Sequence, residues 1–252
     1  MIAKWGLSRA KLIYLRDPVD SKNALASIGI TDNRVACTFD DALYYQVKSE
    51  SQVESALKES GIDPDRPYMA VNVHYWGQKE ETSRIVMDQI SICLDTIVDS
   101  LGLQIAFIPM HSSDEEAINE VIGQMNQPAV MIKHNYCIDL AIGAVRDAEL
   151  CFTMKHHPII FAMGVGVPTV AIALDEYYNH KNKGAMQLFG QSDYVICENH
   201  DQIAATAIEK TKMAYLLRRD ISHEINRKYA ELKSRAGEVI FRYLDQLNTK
   251  PS

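Results

Sequence analysis

Residues 150–174 read LCFTMKHHPIIFAMGVGVPTVAIAL, and this stretch decides the fold. Leu150 to Thr153 is an apolar run of strand length, Pro158 suits the first turn of a following helix, and Thr169 to Leu174 is a second apolar run. Proline fits there because its missing N–H would have had no partner and its fixed φ is helical. Strand, helix, strand implies a parallel sheet covered on both faces. Gly164-Val165-Gly166 precedes a strand, whereas a dinucleotide fingerprint follows one and opens a helix, so it reads as a helix end and close-packing turn.

The same alternation extends outward. Tyr68 to Trp76 (YMAVNVHYW) has period-2 apolar positions, and Val86, Ile90, Cys93, Leu94, Ile97 and Leu101 then share one helical face. Leu103 to Ile108 is another short run. Ser112 or Ser113 offers an N-cap with Glu115 or Glu116 three residues on, ahead of the stripe Ile118, Val121, Ile122 and Met125. Ala129 to Ile132 and Tyr194 to Cys197 complete the strands, and from Asp201 the pattern is helical in two segments. Before Pro67, Leu12 to Leu15 and Val35 to Thr38 read as two strands around a helix from Ser21 to Ile28, with Gly29 as its C-cap. Two strands do not make a stable domain. The polar stretch 48–66, ending in DPDRP, reads as a boundary.

With 252 residues, 47% hydrophobic and 23% charged, disorder, collagen and coiled coil are excluded. A net charge of -7 leaves no whole-molecule basic field for nucleic acid, though a local anion site remains open. The five cysteines are scattered without a C-x-x-C pair, which argues against a disulfide framework or thiolate zinc and for buried thiols in a reducing cytoplasm. No run approaches the ~18 apolar residues of a membrane span, and the start lacks a signal peptide's apolar stretch. The expected location is cytoplasmic, with a peripheral position at the inner membrane face as its variant.

In open parallel sheets, ligands bind beyond the carboxyl ends of the strands. Those junctions contain His74, His111, His134, His156, His157, His180 and His200, leaving only His223 elsewhere among the eight histidines. The functional reading is a polar cleft that binds an anion and moves protons near neutral pH; the bland one is polar loops with a few capping side chains. Lys155 and His157 stand at the amino terminus of a helix, where a cation, an imidazole and backbone N–H groups suit phosphate or carboxylate. No H-x-x-x-H or H-E-x-x-H helix spacing occurs, so no metal is expected.

The stretch 153–196 resembles the carboxyl-terminal region of the polysaccharide pyruvyl transferase family, where R-x-H-x-x-x-F-A precedes G-V-P, a strand, and a lysine three residues before a glycine. The matching positions are Lys155, His157, Phe161-Ala162, Gly166-Val167-Pro168, and Lys181 before Gly184. LRDPVDS (15–21) is similar to the family's V-R-D-x-x-S, with Arg16, Asp17 and, one residue late, Ser21; CTFDDAL (37–43) and IPMHSSDEEA (108–117) are similar to two further stretches. The resemblance runs from about Arg9 to about Asp201.

The resemblance implies a GT-B-like fold and transfer of pyruvate, as a ketal, from phosphoenolpyruvate to a sugar of a cell-surface polysaccharide or its lipid-linked precursor, with no cofactor. The fold class expected is α/β: a parallel, doubly wound, Rossmann-like sheet as the carboxyl-terminal domain, preceded by a remnant of a second domain. Residues 1–66 would be that remnant plus linker, 67–200 the donor-binding domain and 201–252 carboxyl-terminal helices. The family's phosphoenolpyruvate contacts map onto Arg16, Lys155 and His157, with His157 as proton donor or the group orienting it. His111, Asp114, Lys181 and His156 are further substrate-binding candidates, and Trp76 or Tyr75 offers the acceptor sugar an aromatic face. Lys155 replaces the family's arginine and gives up a bidentate fork for a point charge. Most of the family's amino-terminal domain is absent, so a homo-oligomer or a partner chain supplying it is also expected. Two alternatives are a GT-B glycosyltransferase with a nucleotide-sugar donor, and a non-catalytic module that binds a sugar or a partner protein.

Overall fold

A computed structural model describes residues 2–47, 49–75, 80–133, 135–197 and 202–248. The elements run α1 (Ile2–Leu7), β1 (Ile13–Leu15), α2 (Asp20–Ser27), β2 (Val35–Cys37), α3 (Glu50–Glu59), β3 (Tyr68–Asn72), α4 (Glu80–Leu101), β4 (Gln104–Phe107), α5 (Asp114–Gln124) and β5 (Ala129–Met131). They continue with α6 (Ile138–Arg146), β6 (Leu150–Thr153), α7 (His156–Val165), β7 (Thr169–Ile172), α8 (Glu176–Gln187), β8 (Val195–Ile196), α9 (Ile203–Leu216) and α10 (Arg218–Asn248). Short 3-10 turns cover Asp41–Tyr44 and Ser192–Tyr194.

Six parallel strands form the main sheet in the order β5-β4-β3-β6-β7-β8. The chain winds outward from β3 to β5, returns beside β3, and winds the other way to β8, a doubly wound sheet with its switch point between β3 and β6. Period-2 alternation divides the side chains between two cores. Met69, Val71, Ile105, Phe107, Leu150 and Phe152 point into the face covered by α4 and α9. Tyr68, Ala70, Ala106 and Cys151 point into the other, against α3 and α6. Small residues on that second face let helices lie close. The buried stripe of α4 is as its spacing predicts, with Val86, Ile90, Cys93, Leu94 and Ile97 all enclosed. Helix α7 is apolar over most of its surface because strands, helices and the 3-10 turn at 41–44 cover all but His157 and its last turn.

Stretch 48–66 carries more structure than its polarity suggests. Helix α3 docks on α6 so closely that a Cβ on Gly143 would sit 2.2 Å from Val53. The carboxyl end of α7 closes on Gly166 at φ +79, the left-handed turn expected of that glycine. The cysteines depart from expectation: Cys93 and Cys151 are buried, but Cys137 and Cys197 are exposed. No helix among the described residues is long and apolar enough to cross a membrane.

The leading strands pair in parallel as β1-β2, with Ile13, Leu15, Leu25 and Ile30 as their small core. Four residues cannot hold a sheet alone, and this one leans on α8: Gly184 faces Asp17, where an added Cβ would come within 2.7 Å.

Candidate functional site

At the switch point, Asn72 of β3 pairs in register with Thr153 of β6. Asn72 Nδ2 donates to Ile108 O at 3.0 Å and to Asp114 Oδ2 at 3.3 Å. Asp114 also accepts the Met110 N–H at 3.0 Å and Lys155 Nζ at 2.5 Å. Its side chain has no exposed surface. The sequence suggests Asp114 as a ligand-binding residue; in the structure its carboxylate is enclosed and bonded to three donors, among them Lys155. Each donor comes from a different strand end, which is why no local motif reveals the arrangement.

The expected serine cap of α5 is also absent. Ser113 makes no capping bond; its Oγ lies 2.9 Å from His111 Nδ1, and its N–H meets the same nitrogen at 3.1 Å. His111 therefore stands exposed in the turn after β4, with one ring nitrogen occupied locally. His74 is buried, with Nδ1 2.7 Å from Tyr75 O and its ring against Tyr178. Burial and the Lys155 charge push its pKa down.

A second, looser group surrounds the amino end of α7. Lys155 is the N-cap residue, its N–H held by Thr153 Oγ1 at 3.0 Å. Arg16, just past β1, is half-exposed and reaches Asp40 Oδ2 at 3.2 Å. Asp40 caps the 3-10 turn through the Ala42 N–H, and its Oδ2 stands 3.7 Å from Nε2 of His156. His156 is 4% exposed, and neither ring nitrogen has a hydrogen-bond partner. Burial, reinforced by the charges of Lys181 and Arg16, holds its pKa at about 4, against the opposing pull of Asp40.

His157 is exposed at the rim, its ring near Phe161. Partial burial lowers its pKa, Asp40 opposes, and Lys181, Arg16 and Lys155 push the same way as burial. So the charges of Arg16, Lys155 and Lys181 are all felt at His157. Asp40 is the residue that sequence reasoning missed, although it lies inside the quoted CTFDDAL.

Local chemistry explains how the loop carrying Arg16 is held. Asp17 Oδ1 accepts the Ser21 N–H at 2.8 Å, and Asp17 also accepts the Ser21 hydroxyl, pinning the first turn of α2. Gly184 lets α8 lie against Asp17, which brings Lys181, one turn earlier, toward α7. Lys181 Nζ lies 5.6 Å from the ring of Tyr177, which is 63% exposed. The histidines predicted as one group thus divide. His180 turns away to Asp20 Oδ2 at 2.9 Å and to Glu176, which raise its pKa. Trp76, His134 and His200 lie outside the described residues. Among the described residues, no group of three or more His, Cys, Asp or Glu could hold a metal ion.

The family model for polysaccharide pyruvyl transferase matches residues 2–176. No curated protein sequence matches significantly. Among solved structures, sucrose-phosphate synthase of Thermosynechococcus elongatus is similar at 13% identity and TM-score 0.61, over 99% of this chain and 62% of that one. Anabaena HepE in complex with UDP and glucose gives 13% and 0.55, over 99% and 66%. UDP-GlcNAc 2-epimerase of Methanocaldococcus jannaschii gives 16% and 0.56, over 81% and 55%. The likeness is one of fold, GT-B-like, and the chain spans 55% to 66% of the length of these structures.

Proposed function

Because the chain belongs to the polysaccharide pyruvyl transferase family, we propose that it takes part in transferring pyruvate from phosphoenolpyruvate to a saccharide, forming a ketal. The observation that carries this reading is the grouping at the amino end of α7, where Lys155 is the N-cap residue, His157 is exposed beside it, and Arg16 meets Asp40 next to His156. A donor with a carboxylate and a phosphate needs several cations and a proton source, and backbone N–H groups at a helix start add to them.

The reaction moves two hydroxyl protons and one phosphate. Carbon 3 of the enol gains a proton, carbon 2 becomes oxocarbenium-like, two sugar oxygens bond to it, and the C–O bond to phosphate breaks. One hydroxyl proton ends on the methyl group in the net balance and the other on phosphate. His157 is the proton donor in this reading. Its lowered pKa leaves it neutral in the free site at neutral pH, and a bound anion, by offsetting Arg16, Lys155 and Lys181, raises it toward the range where an imidazole donates. Lys155 contributes a fixed charge, because Asp114 holds it in place. Tyr177 offers the saccharide an exposed aromatic face beside Lys181.

A nucleotide-sugar donor would use the same cations for its diphosphate, and the structural likeness to HepE with UDP and glucose favours testing it. Calorimetric titration with phosphoenolpyruvate, a nucleotide sugar and inorganic phosphate separates the readings. The donor assignment requires selective phosphoenolpyruvate binding that His157→Ala and Arg16→Ala each weaken. Selective nucleotide-sugar binding supports the alternative, and silence toward all three supports a non-catalytic binding module.

A further inference from the structure

Asp40 serves three neighbours at once. One oxygen accepts the Ala42 N–H at 3.1 Å, and the other lies 3.2 Å from Arg16 Nη1 and 3.7 Å from His156 Nε2. The first two contacts are hydrogen bonds; the third is about 0.5 Å too long. His156, meanwhile, is enclosed with both ring nitrogens unpaired. A buried imidazole without partners is costly, and the carboxylate that could relieve it is held by Arg16.

The charged groups around the ring come from every side. Arg16 and Asp40 follow the two strands of the small sheet, Lys181 belongs to α8, and His157 shares α7 with His156. In the free site burial, reinforced by the cations, outweighs Asp40 and His156 is neutral. An anion that engages Arg16 and Lys181 offsets the two largest charges holding the proton off. The same event frees Asp40, whose negative charge would then repel the arriving anion unless something neutralised it. His156 is the group placed to do so.

We propose that Asp40 is a positioning residue that exchanges partners: when an anion of the phosphoenolpyruvate class draws Arg16 away, Asp40 turns to His156, and the imidazole takes up one proton. The proton comes from solvent, sits on the ring nitrogen facing Asp40, and returns when the anion leaves; only hydrogen bonds change. Ligand binding and proton uptake are thereby linked. This deepens the proposed function and rests on its assignment of Arg16 to the donor.

Two measurements test it, one without ligand. Arg16→Ala frees Asp40 permanently, so in an NMR titration the His156 midpoint should rise by about one pH unit or more over the wild type, while Asp40→Asn should lower it. An unchanged midpoint in Arg16→Ala overturns the exchange. With ligand, phosphoenolpyruvate is titrated by calorimetry in buffers of differing ionisation enthalpy. The wild type should take up more proton per ligand than His156→Leu or Asp40→Asn. Equal uptake in wild type, His156→Leu and Asp40→Asn, with binding intact, also overturns it. If phosphoenolpyruvate fails to bind the wild type, the donor reading falls, and the ligand-free titration still decides the exchange.

Discussion

The two halves of the site handle charge in opposite ways. At the switch point, Asp114 is fully enclosed and bonded by Met110, Asn72 and Lys155, so its charge is answered inside the protein. Around the start of α7, Arg16 pairs with Asp40, Lys181 lies over Tyr177, and His156 meets nothing within hydrogen-bond distance. One half is a scaffold with its bonds already made; the other is the half to which the proposed reading assigns the donor anion. Substitutions in the first should therefore act on stability, and in the second on binding.

The largest expected effect falls on the scaffold. Asp114→Ala strands the Lys155 ammonium and two N–H donors, and should cost about 3–5 kcal/mol in urea unfolding. A loss below about 1 kcal/mol, within reach of an ordinary surface substitution, would erase the distinction. The next effect concerns pH. His156 has a folded pKa of about 4, below its ordinary value of 6.5, so folding favours the neutral ring. Its contribution is fully present above 6.5 and is lost as pH falls from there through about 4. It amounts to roughly 3 kcal/mol at most. His156→Leu should flatten the stability profile over that interval; a profile as steep as the wild type's would show that other groups carry it. Gly184→Ala joins both halves: the new Cβ meets Asp17, so stability should fall by about 1–3 kcal/mol and anion affinity with it, as Lys181 and Arg16 separate. The smallest change is Lys155→Arg, which keeps the bond to Asp114, restores the family residue and should leave phosphoenolpyruvate affinity equal or better.

Much of this was legible before the structure. LCFT, TVAIAL and YMAVN are short apolar runs that only a sheet covered on both faces can bury, and the turns between strands and helices named the edge that carries most of the histidines. Lys155, His157 and Lys181 could be found because each lies within a residue or one helical turn of a quoted motif. Asp40 could not, because FDDALY has the composition of an ordinary turn and its meaning depends on Arg16 and His156, 24 and 116 positions away in the sequence. Asp114 was visible as a residue but not as a buried one: an acidic first turn suits any exposed helix start, and its enclosure depends on Asn72 and Lys155 arriving from other strands. The split of the histidines was likewise hidden, since His180 pairs with Asp20 while its neighbour Lys181 lies over Tyr177.

The central claim, that the open half binds the donor anion, is tested most directly by titrating phosphoenolpyruvate into the wild type, Arg16→Ala and His157→Ala while following the melting temperature of each. The predicted result is binding in the wild type that weakens about 10- to 100-fold in either variant, the scale of a lost charge-assisted hydrogen bond, with nearly unchanged melting. Equal affinity in all three proteins, or no binding in the wild type, would contradict it.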